Sequence, residues 1–433
     1  MLIRSGVLLD GTRTDIRVGR RITEVADGLP TRRGETVLDA GGGTVLPGLH
    51  DHHLHLRAAA AALHSVRVGP DEVTGPEQLA HVLRAATVGA DGWIRAVGYH
   101  ESVAGPLNRT ALDGFCPNVP LRIQHRSGVL WTLNSAALAL VGLPDHPDGR
   151  LRSADTGWTA ALARTEPGLA PLSARLSGYG VTGVTDATPD LSAADVAALQ
   201  QAHRSGELMQ SVHCLAPGKR ILHDDDLDLD ALTGWIAARH AAGDPVALHC
   251  VTAAQLVVAL AALDSAGRHP DDRLEHAAVV PDGSLATVAA CGATVVTQPN
   301  FVAERGEAYL RDVLAAEHHE LWRVASLRAA GVPVALSTDA PFGHPDPWAA
   351  MRAAVTRRTP SGAVLTAAEK VSAAQALAMF LGDPLTPAIP RRIEPGARGD
   401  LCVLSASPQQ VLADLDAEHV AATVVAGEVV YTR

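Results

Sequence analysis

From about residue 170 the chain alternates short apolar runs with longer Ala/Leu-rich stretches. The runs at 183–188, 209–215, 245–251, 273–280, 293–298 and 333–339 have strand length, and segments between them such as 253–266 and 321–330 carry helical period. Continuous apolar strands separated by helices predict parallel pairing with both sheet faces buried. Adding an apolar strand that starts at 44–46 and a short segment near Lys219 brings the count to about eight, the number of the closed (β/α)8 barrel. In such barrels chemistry sits where strands end, and polar residues here do fall at strand ends.

The two termini read differently. Residues 2–9, 14–18 and 22–25 form short strand-like runs punctuated by Asp10-Gly11, Gly19-Arg20 and Gly41-Gly42-Gly43, and residues 400–405 and 420–431 are again β-rich. Neither end can close a core alone, so 1–46 and 393–433 are expected to combine into one small β-sandwich around a barrel spanning 47–392. The stretch 57–170 breaks the strand–helix rhythm, with runs at 93–100 and 120–125 and a helical segment at 134–143. It reads as an insertion after the first barrel strand, a lid or substrate-binding subdomain.

Composition narrows the classes. A chain of 433 residues can bury a large core, and a net charge of -11 offers no electrostatic footprint for nucleic acid or an anionic membrane. Cys116, Cys214, Cys250, Cys291 and Cys402 show no C-x-x-C pair, which suggests a reduced compartment and not a disulfide framework. With no signal-like or membrane-spanning run, the expectation is a soluble cytoplasmic protein acting on a small molecule, its apolar content compatible with a homodimer.

Candidate chemistry concentrates in Pro47-Gly48-Leu49-His50-Asp51-His52-His53-Leu54-His55. On an extended segment His53 and His55 project to one face, with Asp51 on the same parity, while His50, His52 and Leu54 face the other way. Paired imidazoles suit a divalent metal, and a neighbouring carboxylate can bind it or orient a ligand. Three more strand ends carry ligand types: His249, His276 after Glu275, and Asp339 in Ser337-Thr338-Asp339. A closed barrel would bring all of these to one rim. Glu275 is expected in the barrel wall, in a salt bridge.

This constellation resembles the amidohydrolase superfamily of metal-dependent hydrolases, and within it the YtcJ-like branch that includes N-substituted formamide hydrolases. The resemblance rests on the residue 47–55 motif, His249, His276 and Asp339, and on 126–135, 273–277 and 337–341. One departure is Val129, where many relatives would carry a histidine. The resemblance implies one or two divalent ions, most simply zinc with iron or manganese as alternatives, held by His53, His55, His249, His276 and Asp339. Lys219 stands where binuclear relatives carboxylate a lysine, and a solvated lysine is the other reading of it.

Water on such an ion has its pKa lowered to about 7, so the implied reaction is hydroxide attack on a non-peptide C–N bond, with Asp339 as proton shuttle and the metal or His276 polarising the carbonyl. Substrate contacts are expected from Tyr99, His100, Glu101, Arg126, Trp131 and Asn134 in the insertion, and from Gln298, Phe301 and Arg305 after the seventh strand. A buried Arg126 or Arg305 would favour a carboxylate-bearing substrate. Deamination of a heterocycle is the alternative reaction, weakened because Thr252 stands where deaminases of the superfamily place a glutamate. A scaffold that has lost its metal is the third reading, and the survival of every expected ligand weighs against it.

Overall fold

The computed structural model describes residues 1–152, 158, 162 and 167–433; the remaining residues of the expected insertion lie outside this set. The chain divides into two compact units, Met1–Leu56 with Leu169–Arg433, and Arg57–Gly168.

The larger unit contains eight parallel strands in two sheets. Leu49–Leu54, Val181–Asp186 and Ser211–Cys214 form the first, with Val181–Asp186 in the middle. Lys219–Ile221, Ala247–Cys250, Arg273–His276, Thr294–Thr297 and Val334–Leu336 form the second, in sequence order. The sheets meet where Asp339 N–H donates to His53 O at 2.9 Å and His55 N–H donates to Ala340 O at 2.8 Å. Register fixes the rest: Lys219, Ala247, Arg273 and Thr294 lie level across the second sheet, as do His249 with Glu275 and Cys250 with His276.

Helices follow most of these strands, and local chemistry starts and stops them. Ala253–Ala266 begins at Thr252, whose hydroxyl accepts from Gln255 N–H while the Gln255 side chain returns to the Thr252 N–H, and it ends at Gly267. A reciprocal cap of this kind is worth about 1 kcal/mol.

Both termini contribute to the same unit. Leu2–Val7, Arg13–Val18, Ile22–Ala26 and Val37–Asp39 make one four-stranded sheet, and Val45–Pro47, Leu401–Leu404, Val420–Val425 and Glu428–Thr432 make another. Ile3, Ile16 and Ile22 from the first share a core with Val45, Val403 and Val424 from the second. Burying each such side chain is worth about 1.5–3 kcal/mol. Val45–Pro47 runs almost directly into Leu49–Leu54, so this core anchors the strand that carries the histidines.

The smaller unit is built on one mixed sheet, in which Val66–Arg67, Ile94–Tyr99 and Leu121–His125 are parallel and Leu130–Leu133 and Arg150–Arg152 are antiparallel. Among the described residues no helix is long and apolar enough to cross a membrane. All five cysteines are free.

Candidate metal centre

Alternation along Leu49–Leu54 sorts its histidines as expected. The His53 and His55 rings lie edge to face with centroids 5.5 Å apart, while His50 and His52 stack at 4.7 Å. His53 is fully buried. The two backbone bonds described above bring Asp339 beside this pair, its Oδ1 3.6 Å from His53 Nε2 and 3.4 Å from His55 Nε2. Donor atoms of His53, His55 and Asp339 all lie within 4.8 Å of one another.

His276 joins them, its ring centroid 4.7 Å from that of His53 and its Nδ1 4.0 Å from Asp339 Oδ2. His249 packs on His276 with centroids 4.4 Å apart. Lys219 is also buried here, with Nζ 3.2 Å from His53 Nε2, which removes the reading of a solvated lysine. His276 and Asp339 adopt φ of +71° and +55°, a left-handed backbone that costs a non-glycine residue about 1–3 kcal/mol and that turns both side chains at their strand ends.

Partners behind the ring fix how it can act. Glu275, fully buried, bonds His53 Nδ1 and also takes Arg273 Nε at 2.6 Å. A carboxylate accepts only, so His53 carries its proton on Nδ1 and presents the Nε2 lone pair to the cluster. Gln298 Oε1 lies 2.8 Å from His276 Nδ1 while its amide nitrogen donates to Ser337 Oγ at 2.9 Å, which likewise leaves His276 Nε2 as a lone pair. Burial holds His53 and His249 well below the ordinary imidazole value, and His276 below it, so these imidazoles are neutral, the state in which they could bind a metal.

The Asp339 carboxyl is pushed up by burial, but His55, His276 and Lys219 around it outweigh that and hold it below its usual value. Its Oδ1 is buried and makes no hydrogen bond of normal geometry. Asp339 Oδ1 lies 3.6 Å from His53 Nε2, with Lys219 Nζ beside that nitrogen, and a carboxylate oxygen and an imidazole lone pair so close together suit a shared cation. Neutral imidazoles plus one carboxylate are the donor set of zinc, iron or manganese, so these residues fit a divalent ion.

Several expected contacts have other jobs. Asp51 binds Thr338, accepting its N–H at 3.1 Å and its hydroxyl, and burial raises its carboxyl to about 7. Gln298 orients His276 and is wholly buried, so it is a positioning residue and not a substrate contact. Phe301 packs in a core with Trp322. Arg305 lies over the Phe301 ring and donates to Phe342 O at 2.5 Å, bracing the loop whose Phe342 ring stands edge-on to His55 at 5.3 Å. Thr252 spends its hydroxyl on Asp224 at 2.7 Å and on the helix cap.

Within the smaller unit, Tyr99 donates its hydroxyl to Gly105 O at 2.5 Å and is buried. Trp131 belongs to a core with Trp93 and Trp158. Asn134 caps the Ser135–Leu140 helix through Ala137 N–H, accepts Leu121 N–H and donates to Cys116 O and Val119 O, which uses its whole amide. All three are structural.

Arg126 follows the Leu121–His125 strand, its backbone N–H bonded to Tyr99 O at 2.8 Å. His100 and Glu101 meet His125 there, with His125 Nε2 3.0 Å from Glu101 Oε2. Backbone N–H groups of Ser102 and Ser127 donate to Nδ1 of His100 and His125, which places the ring protons on Nε2. That tautomer makes a hydrogen-bonded His–Glu pair and disfavours a second metal centre.

Three site residues escaped the sequence reading in their present roles: Glu275 and Gln298 as orienting groups, and Arg273 behind Glu275. The available signal was polarity inside an otherwise buried strand, because an internal charge is rarely kept without a partner.

Parallel strands ending in a histidine–aspartate cluster define a metal-dependent hydrolase architecture. The chain belongs to the amidohydrolase family, whose signature it matches over residues 36–431. It is similar to the N-substituted formamide deformylase of Arthrobacter pascens, at 26% identity over 461 aligned positions covering 86% of this chain and 85% of that one. In fold it is similar to an uncharacterized metal-dependent hydrolase from Pyrococcus horikoshii OT3, with a TM-score of 0.75, 19% identity and coverage of 95% and 98%. Another from Pyrococcus furiosus aligns with a TM-score of 0.72, 19% identity and coverage of 94% and 99%.

Proposed function

We propose that the chain hydrolyses an amide-type C–N bond, in an N-formyl or N-acyl amine or a cyclic amide, at a divalent metal centre. We read the eight parallel strands as the closed barrel and the two terminal sheets as a sandwich beside it. The observation that carries the activity is the meeting of His53, His55, His276 and Asp339, drawn from three separate strands, around an unpaired buried carboxylate oxygen. Similarity to a formamide deformylase supports the amide substrate class.

His53, His55, His249, His276 and Asp339 would hold the ion, and Lys219, if carboxylated, would add a further oxygen donor for a second ion. Such an ion supplies a Lewis acid for the carbonyl and a water of lowered pKa. Asp339, ionised at neutral pH and free at Oδ1, takes the proton of the attacking water and returns it to the departing nitrogen. Glu275 and Gln298 keep the His53 and His276 rings in the tautomers that leave Nε2 available. Thr252, engaged with Asp224 and its helix cap, offers no acid for protonating a heterocycle, so amide hydrolysis is favoured over deamination.

The test is a panel of N-substituted formamides, N-acyl amines, cyclic amides and aminoheterocycles, assayed with metal-loaded wild type and Asp339→Asn. Amine release from an amide, lost in the variant, is the expected result. Ammonia release from the heterocycles alone would replace this reading with deamination.

A further inference from the structure

Three of the candidate ligands leave their strands on loops that lead to one patch. Val251 follows His249 by two residues, Val279 follows His276 by three, and Phe342 follows Asp339 by three. All three are half-buried apolar side chains packed against a core that contains Ala278, Phe301 and Trp322. Apolar surface of this kind beside a few convergent polar groups is what holds the uncharged part of a small ligand.

Phe342 reaches the centre itself. Its ring stands against that of His55 with centroids 5.3 Å apart and planes at 78°, and the His55 side chain keeps 13% of its surface accessible. The turn that begins at Asp339 fixes this position, because the Asp339 carbonyl accepts Phe342 N–H at 2.8 Å and Gly343 N–H at 3.1 Å. Gly343 closes the turn against Thr338 and Asn300: a Cβ there would lie 2.2 Å from Thr338 O and 2.3 Å from Asn300 Nδ2, so no side chain fits. Asn300 Nδ2 donates to Thr338 O and to Glu304 Oε1, both at 3.1 Å, and Glu304 Oε1 also accepts His344 N–H at 3.0 Å. Arg305 Nη2 holds Phe342 O at 2.5 Å. The backbone of Phe342 is thus tied to that of Asp339, and its ring is confined between the apolar core and His55.

We propose that Phe342 is a specificity-determining residue of this centre, receiving an uncharged, planar apolar group that the substrate carries beside the scissile C–N bond. A flat group packs on the accessible part of the ring, offset or edge to face, and gains more than its buried area alone would give. A carboxylate in the same place would lose its water against carbon. Arg305, expected from sequence to favour a carboxylate, is engaged with Phe342 O and with the face of the Phe301 ring. The substrate assignment rests on the hydrolytic reading of the centre; the contact with Phe342 rests on the position of its ring.

The experiment is spectrophotometric titration of cobalt-loaded wild type, Phe342→Leu and Phe342→Ala with acetohydroxamate, benzohydroxamate and the carboxylate-bearing hydroxamate of succinic acid, metal-directed ligands whose binding is read without turnover. Benzohydroxamate should bind tightest of the three to wild type. Its preference over acetohydroxamate should fall about threefold in Phe342→Leu and about tenfold in Phe342→Ala, at unchanged cobalt stoichiometry. Phe342→Leu keeps an apolar side chain on the core, so the test stands if Phe342→Ala does not fold. A preference within about twofold of wild type in the folded variants, tightest binding by the succinic hydroxamate, or no binding by any of the three would overturn the proposal. Amide hydrolysis could fail entirely while the hydroxamate preference follows Phe342; that result would overturn the proposed activity and keep Phe342 as the residue that selects the ligand.

Discussion

Glu275 holds His53 from behind, both side chains inaccessible to solvent, and a single carboxylate thereby sets both the tautomer and the orientation of a central imidazole. Replacing it by glutamine keeps the shape and removes the charge. Glu275→Gln is expected to weaken metal binding by about 10–100-fold, read by competition with a chromogenic chelator. Unchanged affinity would remove Glu275 from the centre.

Asp339→Asn should keep the fold and lower turnover by about 10²–10⁴-fold, because the amide cannot accept the water proton. Circular dichroism with steady-state kinetics on the best amide of the panel separates this from unfolding. A variant within about threefold of wild type would place the proton transfer elsewhere.

Burial lowers the Lys219 ammonium to about 8, so a useful fraction is neutral near physiological pH and can add carbon dioxide. Bicarbonate during metal loading is expected to raise the stoichiometry from about one to about two ions in wild type and to do nothing in Lys219→Met. Elemental analysis decides it, and equal content with and without bicarbonate would leave Lys219 as a structural amine.

His213 is held at about 4, mainly by burial. The unfolded chain binds its proton near 6.5 and the folded one only near 4, so stability falls as pH drops from about 6.5 to 4 and is fully retained above that window. His213→Gln should flatten the dependence by up to about 1.4 kcal/mol per pH unit, measured as urea-unfolding free energy between pH 4.5 and 7. A slope identical to wild type would assign the acid sensitivity to the other buried histidines.

Asn134, expected from sequence as a substrate contact, uses all its amide hydrogen bonds internally. Asn134→Ala should cost about 2–4 kcal/mol of stability and leave KM unchanged. A selective rise in KM with an unaltered melting temperature would restore the substrate role.

The alternation of apolar runs and helical stretches, and the histidine, lysine and aspartate at the ends of those runs, were legible in the chain itself. Strand parity alone predicted that His53 and His55 would share a face, because side-chain direction along a strand is local geometry. Which polar residues face a ligand and which close a turn was not local. Asn134, Tyr99 and Trp131 had the right chemistry for a pocket, yet their partners Cys116, Gly105 and Trp93 could be assigned only once the small unit had folded. Asp51 had the right parity for the metal, and only the pairing of the first strand with the segment after the last gave it to Thr338. Glu275 could be read as a buried ion-pair partner, but its hold on His53, 222 residues away, follows from strand order and register, which place one parallel strand's side chain behind another's. Sequence determined the candidate ligands, because their identity and spacing are covalent facts; tertiary structure decided their protonation and orientation, because those depend on partners that the chain brings near only by folding.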